Sequence, residues 1–134
     1  MKRHLINPGS TRATYERLHF SQANRAGDIV WVSGQVGIDP ATLQAADSME
    51  AQARLAFEGA KAVLEAAGAS LADVVELTTF HTDLRGGVAE FMEVKDKYFP
   101  DCYPAWTAVG VTQLARPEFL VEIRVVAVAG SGAD

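Results

Sequence analysis

Phe119-Leu120-Val121-Glu122-Ile123-Arg124-Val125-Val126-Ala127-Val128-Ala129 reads as a β-strand, because Phe119, Val121, Ile123 and Val125 alternate with Leu120, Glu122, Arg124 and Val126 and β-branched residues dominate. Glu122 and Arg124 therefore share a face. The rest of that face, Leu120, Val126 and Val128, is apolar, so the pattern predicts that it is covered rather than washed by solvent. A covered carboxylate is a candidate for chemistry, and an ion pair with Arg124 or a neighbouring cation is the plainer assignment. Just upstream, Tyr103-Pro104-Ala105-Trp106-Thr107-Ala108-Val109-Gly110-Val111-Thr112 supplies a second strand. Trp106, Ala108 and Gly110 share one of its faces, and residues that small permit close approach of a neighbour.

Outward from this pair, Val88 to Phe99 reads as a helix with Val88, Phe91, Met92, Lys95 and Phe99 on one side, entered through a Gly86-Gly87 turn and stopped by Pro100. Val74 to Leu84 reads as a strand with Val75, Leu77, Thr79 and His81 on one face. Ser70-Leu71-Ala72-Asp73 resembles a capped helical turn. The clearest helix begins at Ser48, a good N-cap with Glu50 in the first turn, and ends at Gly68, where a left-handed cap belongs. Its stripe of Ala53, Ala56, Phe57, Ala60, Val63, Leu64 and Ala67 predicts close packing against a sheet. Ile29 to Ser33 is apolar on both faces and reads as an interior strand, broken at Ser33-Gly34-Gln35 by a bulge or a ligand contact. Nearer the start, His4 to Asn7 is a short strand, Thr11 to Arg17 is polar and fits no element, and His19 to Asn24 is extended. The order β, β, β, α, β, α, β, β describes one α+β domain over residues 1–134. Two helices cover one face of a five- or six-stranded sheet, so the second face calls for another copy of the chain.

Composition bounds the function. A chain of 134 residues with 49% hydrophobic and 22% charged residues suits a globular domain with its own core. The net charge of −5, with no basic block, argues against nucleic acid as a partner. No stretch approaches the roughly 20 apolar residues of a membrane span, and Met1-Lys2-Arg3 is not followed by a signal-peptide core, so a soluble, cytoplasmic protein is expected. The lone Cys102 excludes an internal disulfide and a multi-cysteine metal site. His4, His19 and His81 are too scattered to form a ligand set, and His81 reads as a packed residue rather than an acid or base.

Ser21-Gln22-Ala23, Gly27-Asp28 leading into Val32-Ser33-Gly34-Gln35, Asp83-Leu84, Pro104-Ala105, and Val121-Glu122-Ile123 with Ala127-Val128 occur in the order found in the RidA/YjgF family, also called the endoribonuclease L-PSP family. The resemblance runs from about Leu18 to Val128. It implies a chorismate-mutase-like α+β fold, a mixed sheet with two helices on one face, and a homotrimer whose sheets face a central barrel with clefts between subunits. It also implies hydrolysis of enamine and imine intermediates such as 2-aminoacrylate to a keto acid and ammonia, without metal or cofactor.

The departures from the family pattern bear on that activity. Trp106 stands where deaminating members carry an arginine that grips the substrate carboxylate, and an indole's single donor cannot replace a charged fork. Phe20 replaces a tyrosine, Lys95 an asparagine, and Arg124 lies where many relatives have a second acid. Glu122 resembles the residue that activates the attacking water, and Ser33-Gly34 matches part of the cleft wall. The expected site is thus catalytic Glu122 with Phe20, Ser33, Gly34, Lys95, Trp106, Thr107 and Arg124 around a small metabolite. Two readings follow: an imine deaminase of altered specificity, in which Lys95 or Arg124 meets the substrate's charge, or a non-catalytic trimeric protein that stacks an apolar or aromatic metabolite on Trp106. The ribonuclease role in the family's older name fits neither the acidity nor the absence of a basic, aromatic stripe.

Overall fold

The Glu122 stretch forms β6 (Val121–Val128). In the computed structural model, which describes residues 1–132, this strand lies in the middle of a six-stranded sheet. It pairs antiparallel with β3 (Ile29–Val36) on one side and with β4 (Val74–His81) on the other. Beyond β3 lie β2 (Ala23–Ala26) and β1 (Arg3–Ile6), and beyond β4 lies β5 (Ala105–Gly110). Among the described residues, only β4 and β5 pair in parallel. A parallel pair needs a crossover, here α3 (Leu84–Tyr98).

The alanine stripe does what its spacing predicts. In α2 (Met49–Ala66), Ala53, Ala56 and Ala60 let the helix axis approach the sheet, and Phe57 and Leu64 fill the space between them and Val30, Val32, Leu77, Ile123 and Val125. Ser48 caps the helix by accepting from the Ala51 N–H at 3.2 Å. At the other end Gly68 takes φ +82°, and the N–H groups of Gly68 and Ala69 donate to Glu65 and Leu64. That is a Schellman closure, and a side chain at Gly68 would be strained by its φ.

Two expectations are corrected. Thr11 to Arg17, which fitted no element, is α1 (Thr11–Leu18), a helix with no buried residue and therefore no apolar stripe to reveal it. The strand expected through Leu84 ends at His81, and α3 begins at Leu84 rather than Val88, because the Asp83 carboxylate accepts from the Gly86 N–H at 3.2 Å and caps it. Gly86 and Gly87 are thus inside the first turns, where a Cβ on Gly87 would stand 3.0 Å from Met49 Cε of α2. On the Trp106 face of β5, the small residue Gly110 lies beside the start of α3, where a Cβ would stand 3.6 Å from Leu84 Cβ.

Both α2 and α3 cover one face of the sheet, leaving the opposite face open. That open face carries Ile29, Trp31 and Val109, each more than a third exposed, together with Phe80, Val126 and Val128. Glu76, Thr78, Thr107, Glu122 and Arg124 are interspersed among them.

Candidate functional site

The break at Ser33-Gly34-Gln35 is a bulge, as the register between β3 and β6 shifts between Val32 and Gln35. Its effect is to turn Gly34 onto the carboxylate of the neighbouring strand. A Cβ at Gly34 would stand 2.5 Å from Glu122 Oε2, so a side chain there would push the carboxylate out of its place. The Ser33 hydroxyl donates to the Ser21 carbonyl at 2.6 Å, and the Ser33 N–H donates to the Gln22 carbonyl at 2.8 Å. These bonds tie down the segment bearing the exposed Phe20.

Glu122 is half-buried, and burial pushes its carboxyl above the usual carboxylate range. Among the described residues it forms no ion pair, with Arg124 or any other cation. Arg124 is exposed on the same face and in register with Thr78, whose other neighbour is Thr107. Ser33, Gly34 and Glu122 are therefore one group, with Phe20 tethered to it through Ser21, and Arg124 and Thr107 lie farther along the open face.

Trp106 and Lys95 form a second group on the helix-covered face. Lys95 is 9% exposed; its ammonium lies 4.8 Å from the centre of the Trp106 ring and bonds Asp96 at 3.1 Å. The Trp106 Nε1–H donates to Thr79 Oγ1 at 3.0 Å, and Phe91 packs beside the indole with ring centres 6.1 Å apart. The expected wall holding both Glu122 and Trp106 is thus not built within one copy: Glu122 is in register with Phe80 and Val109 and Trp106 with Leu77 and Val125, which puts the two side chains on opposite faces of the sheet, on strands separated by β4. Two depressions of about 540 and 340 Å³ flank Leu120, and neither is lined by Glu122 or Trp106.

Two polar residues at inward positions escaped the site assigned from sequence. His81 is fully buried, with Nε2 2.8 Å from Thr79 Oγ1, and burial holds its imidazole below the ordinary value. Gln52, 1% exposed, donates to the carbonyls of Ala46 and Glu118 at 2.9 and 2.8 Å and accepts from the Leu120 N–H at 2.8 Å. It thereby fixes the entry to β6 two residues before Glu122. The signal for each was a polar side chain at an apolar-stripe position: Gln52 beside Met49, Ala53 and Ala56, and Thr79 with His81 on the inward face of a strand.

The family model described as Endoribonuclease L-PSP matches residues 11–129. The RutC family protein YjgH of Escherichia coli K12 is 40% identical over 128 residues, covering 95% of each chain, and a solved structure of YjgH superposes with a TM-score of 0.85 at 38% identity over 96% of this chain and 98% of that one. Rv2704 of Mycobacterium tuberculosis, described as a member of the YjgF/YER057c/UK114 family, gives 0.83 at 33% identity over 96% and 100%. TdcF of Escherichia coli, named provisionally a reactive intermediate deaminase, is 35% identical over 105 residues, 76% of this chain and 80% of its own. It has been solved with bound serine, and that structure matches with a TM-score of 0.78 at 33% identity over 83% and 88%.

Proposed function

Because the chain belongs to the endoribonuclease L-PSP (RidA/YjgF) family, we propose that it hydrolyses a small enamine or imine at a cleft formed between copies, with Glu122 handling the proton of the attacking water. The observation that carries this reading is Glu122 itself: a half-buried carboxylate with no cation partner among the described residues, pressed against Gly34, its proton held more tightly because of burial. As carboxylate it would take a proton from water as the oxygen adds to the C=N carbon. As carboxylic acid it would give that proton to nitrogen, forming a carbinolamine; the carbinolamine's hydroxyl proton would then pass through the same carboxylate to nitrogen, so that ammonia leaves and a carbonyl remains, an enamine entering as its imine tautomer. Atoms balance with water as the only co-reactant.

The opposite orientation of Glu122 and Trp106 supports a cleft shared by copies, and the apolar open face supplies the surface on which copies would associate, as a homotrimer. Altered specificity follows from the second group. The only donor of Trp106 is already spent on Thr79, leaving an indole ring and the Lys95 ammonium to meet the substrate. Lys95 Nζ is a point charge and not a bidentate fork, so a compact carboxylate would be held less firmly than a ligand that also offers apolar surface. A purely binding role for Trp106 leaves the unpaired Glu122 unexplained.

The test generates 2-aminoacrylate and, separately, imines of larger apolar amino acids with an amino-acid-oxidising or pyridoxal-phosphate enzyme, and follows keto-acid release. The expected result is little acceleration with 2-aminoacrylate and clear acceleration with an apolar imine, lost in Glu122→Gln. Robust turnover of 2-aminoacrylate that disappears in Glu122→Gln would overturn the altered specificity. No acceleration of any imine would overturn the catalytic role.

A further inference from the structure

We propose that His81 is a positioning residue: by taking the hydroxyl proton of Thr79 at Nε2 it turns the Thr79 oxygen toward Trp106 Nε1, and so fixes the indole on which Lys95 rests. The argument is one of proton counting. Indole Nε1 can only donate, so across the 3.0 Å contact Thr79 Oγ1 must accept. The hydroxyl's single proton then needs an acceptor. Among the described residues the only other partner of Thr79 Oγ1 is His81 Nε2, at 2.8 Å. Nε2 must therefore be unprotonated, and a neutral imidazole must carry its proton on Nδ1. The opposite tautomer would aim two donors at Oγ1 and leave the threonine proton with no acceptor.

Three further observations agree. Thr79 and His81 are both fully buried, so water cannot substitute for either bond. Desolvation favours the neutral imidazole that the relay requires. Among the described residues the buried Nδ1 of His81 has no partner, so its N–H goes unsatisfied and the ring's one polar contact is the one at Nε2. An apolar residue would fill the position without an orphaned atom, which leaves the acceptor at Nε2 as the feature such a residue would lack. Phe91 closes the arrangement, edge-to-face with His81 at 5.0 Å and 6.1 Å from Trp106, and α3 places Lys95 one turn beyond it. His81, Thr79, Phe91, Trp106 and Lys95 thus form one connected unit drawn from β4, α3 and β5. Its consequence for the cleft, a rigid indole face with no free donor, rests on the reading that Trp106 contacts the substrate. The relay itself does not.

The test is nitrogen-15 NMR of the whole protein, with the two indole signals assigned by Trp31→Phe. In the unsubstituted protein His81 should show a pyridine-like Nε2 and a protonated Nδ1; a protonated Nε2 at neutral pH would overturn the proposal, whatever the variants do. Thr79→Val and His81→Leu should shift the Trp106 indole N–H signal and speed its exchange with solvent by about five- to tenfold, the equivalent of one neutral hydrogen bond. Thr79→Ser and His81→Gln, which keep an oxygen in place, should leave exchange within about twofold. An indole signal unmoved in Thr79→Val would also overturn it. With an imine substrate, His81→Leu should raise KM and leave kcat within about twofold, since Glu122 is on the other face of the sheet. Absence of any turnover would count against the hydrolytic reading alone, because the tautomer and indole measurements need no substrate.

Discussion

Glu122→Gln keeps the side chain's shape and removes its charge, so it separates chemistry from packing. Turnover of the responsive imine should fall about 10²–10⁴-fold, the usual contribution of a general base. Stability should move the other way. Burial raises the folded carboxyl above its ordinary 4.5, so the native state binds the proton more tightly than the unfolded chain. The stabilisation this brings is complete below the unfolded value and is lost as pH rises through the folded one. Urea midpoints of the unsubstituted protein should therefore decline relative to Glu122→Gln as pH rises above 4.5. His81 has the opposite sign. Its folded value lies below 6.5, so its contribution is present above 6.5 and lost as pH falls through the folded value. His81→Gln should flatten that acid-side loss. A third substitution tests placement: Gly34→Ala would drive a methyl into Glu122 Oε2, and a carboxylate displaced by about 1 Å should cost about 10²-fold in turnover with the thermal midpoint little changed.

At the level of elements, Gln52 is the side chain whose loss should be felt farthest. Gln52→Leu would strip partners from the Ala46 and Glu118 carbonyls and the Leu120 N–H, costing about 2–4 kcal/mol in chemical denaturation. A loss under about 1 kcal/mol would mean that water replaces the amide. The elements also show what a sequence can disclose. In α2 the cap at Ser48, the alanine stripe and Gly68 all agreed, and the helix lies where they placed it. In α1 no residue is buried, so there was no periodicity to read. The strand around Trp106 gave its parity correctly, since Trp106, Ala108 and Gly110 do share a face. Which side of the sheet that face would meet depends on the crossover of α3, and nothing within the strand encodes it. Glu122 stood out as a charge in an apolar strand, whereas its contact with Gly34 depends on a bulge and on a pairing between distant segments. Thr79 and His81 were visible as inward polar residues, but their link to Trp106 crosses from β4 to β5.

For the whole molecule, the apolar open face predicts self-association. Sedimentation at micromolar concentration should show a trimer, and Trp31→Glu, which places a charge amid Ile29, Val126 and Val128, should yield monomers that have lost imine turnover while keeping the indole signal of Trp106. A stable monomer in the unsubstituted protein would refute the shared cleft. The position of β6 has a kinetic consequence as well. It follows every other strand in the chain, yet it lies between β3 and β4. Until it emerges from the ribosome, β1-β2-β3 and β4-β5 cannot join, and the edges of β3 and β4 that it pairs in the native sheet have no partner. Those edges are the kind of surface that chaperones shield and that neighbouring nascent chains can invade. The strand that carries Glu122 is therefore also the one that closes the sheet, so a ribosome stalled before Val121 would present a sticky, half-zipped chain rather than a nearly finished domain.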